Sequence, residues 1–240
     1  MSVRVSVILP VYNGGRFLAE AIRSILSQRG VSFELLLADD GSTDESWQCV
    51  QRYRVDPRVR AWRFRRNRGI GASRNWLHRR ARGKYLSIFD QDDVMFSGCL
   101  RRLSAALDRW PGVGVVYGRR LMMRESGPAQ ADWKYKPGTF LPWDLLRMQM
   151  PHPGTMVRKS ILDQVGGYDE ALPLAEDWDL FLRLAEVTPF RAVKGGPTYL
   201  YRDWSGSKTH RREPAGRTRK TLMGILRKTI LRRYGIRVRW

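Results

Sequence analysis

Apolar β-rich runs alternate with segments of helical period through the first half of the chain, and nearly every run ends in a cluster of polar turn residues. This alternation is the strongest constraint on the fold. Val3 to Leu9 is apolar on both faces, as a strand covered on both sides must be, and Pro10-Val-Tyr-Asn-Gly-Gly15 breaks it. Phe17, Leu18, Ala21, Ile22, Ile25 and Leu26 then recur at helical spacing. A second strand over Phe33 to Ala38 stops at Asp39-Asp40-Gly41-Ser42, and Ser42 with Glu45 has the spacing of a capping box. Val59 to Phe64 predicts a third strand, Ile70 to Ala81 a third helix, and Tyr85 to Phe89 a fourth strand. Ser97 is placed to cap a helix running through Leu107, and Val113 to Tyr117 reads as a further strand. Such a β-α-β series predicts an α/β fold: a mostly parallel, Rossmann-like central sheet flanked by helices, with ligands at the carboxyl ends of the strands.

Beyond Gly118 the period is lost. Residues 125–154 are rich in Pro, Gly, Trp and Met, which predicts loops and lids facing an acceptor. Order returns with a strand at Thr155 to Arg158, a short helix from Ser160 and a helix from Glu176 to about Glu186. Strands follow near Phe190 to Val193 and Thr198 to Tyr201. Residues 208–240 are strongly basic, with Leu222, Leu226 and Ile230 on one helical face, the pattern of a basic amphipathic helix. The expected organisation is a first, ligand-binding half over 1–118, a second half of the same domain over 119–207, and the helical tail over 208–240.

The chain of 240 residues carries a formal charge of +21, so an anionic partner is expected: phosphorylated substrates, an acidic membrane surface or nucleic acid. Its two cysteines, Cys49 and Cys99, have no metal-ligand or redox spacing, which points to a reducing compartment. No stretch approaches the roughly 20 apolar residues of a membrane span, so any membrane contact is expected to be peripheral.

Three predicted strand ends carry chemistry that converges on one edge of a parallel sheet. Tyr12 can stack on a base or serve as a core aromatic. Asp40 can accept the imide N–H of a pyrimidine or cap a helix. Asp90-Gln-Asp92-Asp93 offers hard oxygen ligands for Mg²⁺ or Mn²⁺ bridging to a diphosphate, or else forms an acidic turn. Arg74, one turn into a helix behind a glycine-bearing loop, can reach a phosphate or lie on the solvated surface. Asp177 opens a later helix where a general base for a hydroxyl acceptor would be useful. Glu176 competes for that role, and acidic residues at a helix start also compensate its dipole. The spacing of Asp177, Leu180, Phe181 and Leu184 places them on one face, which predicts a carboxylate at the core-facing start of the helix.

These segments resemble the family 2 glycosyltransferases of GT-A fold. The resemblance rests on Val5 through Asn13, Ala38-Asp-Asp-Gly-Ser-Thr-Asp44, Asn67 through Asn75, Gly83-Lys-Tyr85, Phe89-Asp-Gln-Asp-Asp93, Gly166-Gly-Tyr-Asp169 and Glu176-Asp-Trp-Asp-Leu180, in the family's order over residues 3 to about 202. It implies transfer of one sugar from a UDP or dTDP sugar to a glycan or lipid-linked hydroxyl by an inverting, metal-assisted displacement, in cell-surface polysaccharide or glycolipid synthesis. It implies that Asp40 recognises the pyrimidine, that Asp90 and Asp92 form the DXD pair with Asp92 on Mn²⁺ or Mg²⁺, and that Asp177 is the catalytic base, with Glu176 beside it. Pro10, Tyr12, Asn13, Asp40, Asn67, Gly71, Arg74 and Asp90 form the candidate nucleotide-binding set. The expected location is the cytoplasm, peripherally on the inner face of the plasma membrane through the tail.

Two departures stand out. Many relatives carry a histidine two residues past the arginine matching Arg202, and Trp204 occupies that place, with His210 further on. The terminal Arg239-Trp240 is similar to the end of the QxxRW signature of processive members, but Ile236 stands in the glutamine position, which favours one sugar per encounter. Two other readings remain. One is nucleic-acid binding through Arg58, Arg60, Arg63, Arg65, Arg66 and Arg68, with no recognised module beside them. The other is a catalytically inactive, sugar-nucleotide-binding relative, against which Asp40, Asp92 and Asp177 argue.

Overall fold

The computed structural model describes residues 2–124, 128–131, 139–140, 154–207 and 215–235. Strands β1 (Val5–Val11), β2 (Phe33–Asp39), β3 (Val59–Arg63) and β4 (Tyr85–Ile88) are separated by helices α1 (Gly15–Leu26), α2 (Ser46–Tyr53) and α3 (Ile70–Arg80). After β5 (Val94–Met95) and α4 (Cys99–Arg109) come β6 (Val115–Tyr117), β7 (Arg120–Arg124), β8 (Gln130–Ala131), β9 (Thr139–Phe140) and β10 (Thr155–Arg158). The described chain closes with α5 (Lys159–Gln164), α6 (Glu176–Val187), β11 (Phe190–Ala192), β12 (Tyr199–Asp203) and α7 (Ala215–Tyr234).

The main sheet has the order β3-β2-β1-β4-β10-β6-β11-β9. Strands β3, β2, β1 and β4 are mutually parallel, as the alternation predicts, and β6 pairs in parallel with β11. The antiparallel β10 is wedged between β4 and β6. Each face of the sheet carries its own core. Val5, Val7, Leu9 and Val11 point to the layer of α1, α2 and α4, where Leu18, Ile22, Val50, Leu100 and Leu103 are buried. Ile8 and Leu36 point to the layer of α3, α5, α6 and α7, against Leu77, Leu162, Phe181 and Ile225. Burial on both faces explains why these strands read as continuous apolar runs.

The first strand runs two residues further than Val3 to Leu9 suggests, passing through Pro10. The carbonyls of Arg4 and Ile8 accept hydrogen bonds from Tyr85 and Phe89 on the β4 side. Pro10 faces that same side one step later, but β4 pairs with β1 only as far as Ile8↔Ile88, so no ladder bond needs the missing N–H. Both expected caps are absent. Helix α2 starts at Ser46 after Glu45 with no side-chain cap, because Ser42 Oγ instead accepts the Asn13 N–H at 3.0 Å. Helix α4 starts after Gly98, whose left-handed φ of 74° makes the turn that Ser97 was expected to cap.

A second, four-stranded sheet of order β5-β12-β7-β8 sits beside the first. It positions the site, because β5 follows Asp93 directly and pairs antiparallel with the start of β12, Tyr199↔Met95 and Leu200↔Val94. Most of the irregular 125–154 segment, together with His210, Ile236, Arg239 and Trp240, lies outside the described residues.

The basic tail forms α7 and packs on the body. Ile225 is buried, Leu222 and Leu226 lie against the same core, Lys228 Nζ binds Asp169 at 2.8 Å and Arg232 binds Glu186 at 3.1 Å. Arg219, Lys220 and Arg227 remain exposed, so contact with an anionic surface through this helix would be made by charge and not by inserting its apolar face. No helix among the described residues is long and apolar enough to cross a membrane. Of the arginines between 58 and 68, Arg58, Arg60 and Arg63 are paired with Asp56, Glu34 and Asp39, and Arg60 and Arg68 stack on Trp62 and Phe64. Both cysteines are free thiols, and burial pushes the Cys99 thiol up to about 12, which makes it inert.

Candidate active site

The carboxyl ends of β1, β2 and β4 are tied to one another before any ligand is considered. Gln91 Oε1 accepts the Tyr12 N–H at 2.9 Å while its Nε2 donates to the Tyr12 carbonyl at 3.0 Å, a two-point clamp between the ends of β4 and β1. Asn13 adopts a left-handed φ of 49°, common for asparagine, and its Oδ1 accepts the Thr43 N–H at 2.9 Å. The clamped turn leaves Tyr12 exposed at the edge of the sheet, where a base could stack on it.

Asp40 is buried, and its two oxygens accept the N–H groups of Arg68 at 2.8 Å and Gly69 at 2.9 Å. It therefore fixes the loop bearing Asn67 at the start of α3, while Asn67 Oδ1 also accepts the Gly69 N–H. Burial raises the Asp40 pKa, and the two amide hydrogen bonds oppose the rise. Each carboxylate oxygen keeps a second lone pair, so a pyrimidine imide remains an acceptable third donor. Gly41, with φ of 75°, lets this turn pass within van der Waals contact of the Arg66 and Asn67 backbone, since a Cβ there would come 2.7 Å from the Arg66 carbonyl carbon.

Arg74 occupies neither of the places open to it in the sequence. It is 2% exposed, and Nη2 binds Asp90 at 2.7 Å while Nη1 faces Glu176 at 3.4 Å. Its guanidinium also lies 5.2 Å from the centre of the Tyr168 ring. Burial alone would lower the pKa of this arginine. Tyr168, Asp90, Glu176 and Asp177 together overcome that and raise it, so it is a permanent buried cation. It links the first aspartate of the β4 end to the helix carrying the candidate base. A phosphate role for Arg74 would require breaking this pair. Gly71 packs close to Tyr168 and Asp169 in the same α3 contact.

Helix α6 begins after Ala175, whose φ of 56° is one of two left-handed values among the described non-glycine residues. Left-handed backbone costs alanine about 1–2 kcal/mol, and here it turns the first helical carboxylates toward Arg74. The core-facing carboxylate is Glu176 and not, as the helical spacing predicts, Asp177. Glu176 is 5% exposed, whereas Asp177 is half-buried, with Oδ1 accepting the Trp178 N–H at 2.8 Å. The first turn of the helix points one residue off the ideal face because the Arg74 ion pair draws Glu176 inward.

At the β4 end, Asp93 is fully buried and its Oδ1 accepts the Arg202 N–H at 3.0 Å, while Oδ2 has no hydrogen-bond partner among the described residues. Burial first, then the charges of Asp92 and Asp90, raise its pKa well above the carboxylate range. The half-buried Asp92 is raised for the same reasons, opposed by the Trp204 indole N–H, which donates to Oδ2 at 2.9 Å. Three crowded carboxylates with one orphaned oxygen make a site that a cation would relieve, and oxygen donors of this kind suit Mg²⁺ or Mn²⁺. Among the described residues no three ligating side chains converge on one point, so such an ion would be held by Asp92 and completed by substrate phosphates and water. Gln91, Arg202 and Trp204 are absent from the candidate residues named above: Gln91 stands between two aspartates and acts on the β1 end, and no sequence pattern pairs Arg202 and Trp204 at the end of β12 with the end of β4.

Residues 6–166 match Glycosyl transferase family 2, and residues 144–212 match Glycosyltransferase like family 2. The chain belongs to glycosyl transferase family 2. Members of family 2 generally use a divalent metal ion. Among curated relatives, the putative glycosyltransferase EpsE of Bacillus subtilis is 32% identical over 188 residues, covering 76% of this chain and 67% of EpsE. Chondroitin synthase of Escherichia coli is 27% identical over 190 residues, covering 79% of this chain and 27% of the synthase. An uncharacterized glycosyltransferase of Rickettsia conorii is 27% identical over 195 residues, covering 77% of this chain and 32% of that protein, so the chain spans about a third or less of these last two relatives. The crystal structure of S. aureus TarS 1–349 in complex with UDP-GlcNAc superposes with a TM-score of 0.81 at 21% identity, over 95% of this chain and 67% of that one. The GT-A architecture is thus the fold of this family 2 chain. A cleft of about 710 Å³ lined by Arg4, Val31, Lys84, Arg101 and Asp108 lies at the opposite, amino-terminal edge of the strands and takes no part in the family 2 site.

Proposed function

We propose that the protein transfers a single sugar from a uridine or thymidine diphosphate sugar to a hydroxyl of a glycan or lipid-linked acceptor, with inversion at the anomeric carbon. The observation that carries this reading is the joining of the Asp90 to Asp93 strand end with the Glu176 to Asp177 helix start through the buried Arg74 of α3, the same helix whose entry loop Asp40 holds through the Arg68 and Gly69 N–H groups. The TarS structures hold UDP and UDP-GlcNAc, which supports reading the donor here as a pyrimidine nucleotide.

Tyr12 stacks on the base, and Asp40 reads its imide N–H from a loop it has already fixed through Arg68 and Gly69. Asp92 would hold a Mn²⁺ or Mg²⁺ ion, which when bound neutralises charge on the departing diphosphate. Asp177 takes the proton of the acceptor hydroxyl as its oxygen bonds to the anomeric carbon and the bond to the diphosphate oxygen breaks. One displacement with no enzyme nucleophile inverts the configuration. Glu176, held by Arg74, maintains the negative environment and the direction of the helix start without taking the proton itself.

The test is nucleotide release from a panel of UDP, dTDP and GDP sugars with mixed glycan acceptors, in Mn²⁺ and in EDTA, with the anomer of the product read by NMR. Turnover of pyrimidine-linked donors that stops in EDTA and gives an inverted product is expected. A retained anomer, or preference for GDP sugars, contradicts the reading.

A further inference from the structure

The proposed donor site has a second layer around Asp92 that the family chemistry does not assign to this chain. Two residues at the end of β12 grip the β4 end from several sides. The Arg202 N–H binds Asp93 Oδ1 at 3.0 Å, and its Nε donates to the Asp92 carbonyl at 3.0 Å. Its Nη2 binds Glu20 of α1 at 2.8 Å, and the guanidinium lies 4.2 Å over the Phe17 ring. Trp204 completes the grip from the side-chain direction, with Nε1–H on Asp92 Oδ2 at 2.9 Å and the indole edge-on to Phe17, ring centres 5.2 Å apart at 74°. The indole cannot move freely. The Ser207 N–H closes a turn onto the Trp204 carbonyl at 3.0 Å, and Gly206 lies so near that a Cβ there would come 2.1 Å from the ring.

Indole is a donor only and has no lone pair to give a metal ion. Its hydrogen bond therefore takes one lone pair of Oδ2 and pins the carboxylate in one orientation, with Oδ1 not engaged by the indole. A side chain that orients a ligating carboxylate in this way fixes its geometry, and losing such a partner typically weakens metal binding by about 10–100-fold. We infer that Trp204 is a positioning residue that fixes the Asp92 carboxylate which would hold the divalent ion, with Phe17 and Gly206 holding the indole in place. This inference rests on the reading of Asp92 as the metal ligand. It makes Trp204 part of the metal site through Asp92 and not as a ligand.

The experiment is a Mn²⁺ titration followed by electron paramagnetic resonance in the presence of UDP, on the full chain and on Trp204→Phe, Trp204→His and Asp92→Asn, with UDP affinity measured separately in EDTA. Phenylalanine keeps the ring against Phe17 and removes only the N–H. Trp204→Phe is expected to bind Mn²⁺ about tenfold more weakly with UDP affinity in EDTA unchanged, and Trp204→His, which restores a ring N–H, is expected to recover affinity. Mn²⁺ affinity equal to the parent in Trp204→Phe, with loss in Asp92→Asn, overturns the role of Trp204 and leaves the donor site standing. An equal loss of UDP affinity in EDTA for Trp204→Phe identifies a merely structural role and also overturns it. Unchanged Mn²⁺ binding in Asp92→Asn overturns both this inference and the metal assignment beneath it.

Discussion

Arg74→Met is expected to cost about 3–5 kcal/mol of folding stability, measured by denaturant unfolding, because it leaves the buried Glu176 and the partly buried Asp90 without the cation they share. That is a large share of the about 5–15 kcal/mol that holds a typical domain together. Arg74→Lys is expected to rescue little, since one ammonium cannot fork to two carboxylates. The triple change Arg74→Met, Asp90→Asn, Glu176→Gln removes all three charges and is expected to regain most of the loss. A lone Arg74→Met variant as stable as the parent would mean that the buried pair is not what joins the two halves of the site.

Asp177→Asn is expected to lower kcat by about 10²–10⁴-fold while leaving UDP affinity and unfolding behaviour near those of the parent. Its carboxylate is half-buried at the helix start, and Oδ1 accepts the N–H of the next residue, a bond that an amide oxygen can also accept. Glu176→Gln is expected to do the reverse, with its main effect on stability through Arg74. Steady-state kinetics beside thermal unfolding separates the two carboxylates. Loss of turnover in Glu176→Gln alone would exchange their roles.

The parallel strands were legible because both faces of β1, β2 and β4 are buried, which writes largely apolar runs into the sequence, broken only by buried polar residues such as Ser6, Glu34 and Ser87. Their polar ends were legible for the same reason, since a run that stops abruptly at Asp39 or Asp90 marks where the sheet meets its ligand edge. The second sheet was not, because β5 has two residues and β12 is only partly buried, too little for a period to show. With it went the contact of Trp204 with Asp92, which depends on pairing residues more than a hundred positions apart. Arg74 was misplaced because one arginine among 44 Lys and Arg carries no sign of burial. The available signal was its setting: Gly71, Ala72, Ser73 and Asn75 are small residues that let α3 pack closely, and a long side chain among them points into the protein. The exchange of Glu176 for Asp177 at the core-facing position follows from the same ion pair, which no helical wheel includes.

The central claim is that the acidic end of β4 serves a nucleotide diphosphate and its metal ion. Calorimetric titration of UDP, dTDP and GDP with and without Mn²⁺, on the parent and on Asp92→Asn at fixed salt, tests it directly. Mn²⁺-dependent binding that prefers a pyrimidine diphosphate and collapses in Asp92→Asn is the predicted result. Equal, metal-independent binding of all three nucleotides, unaffected by the substitution, would make the acidic strand end a structural turn in a chain whose +21 charge merely attracts phosphate.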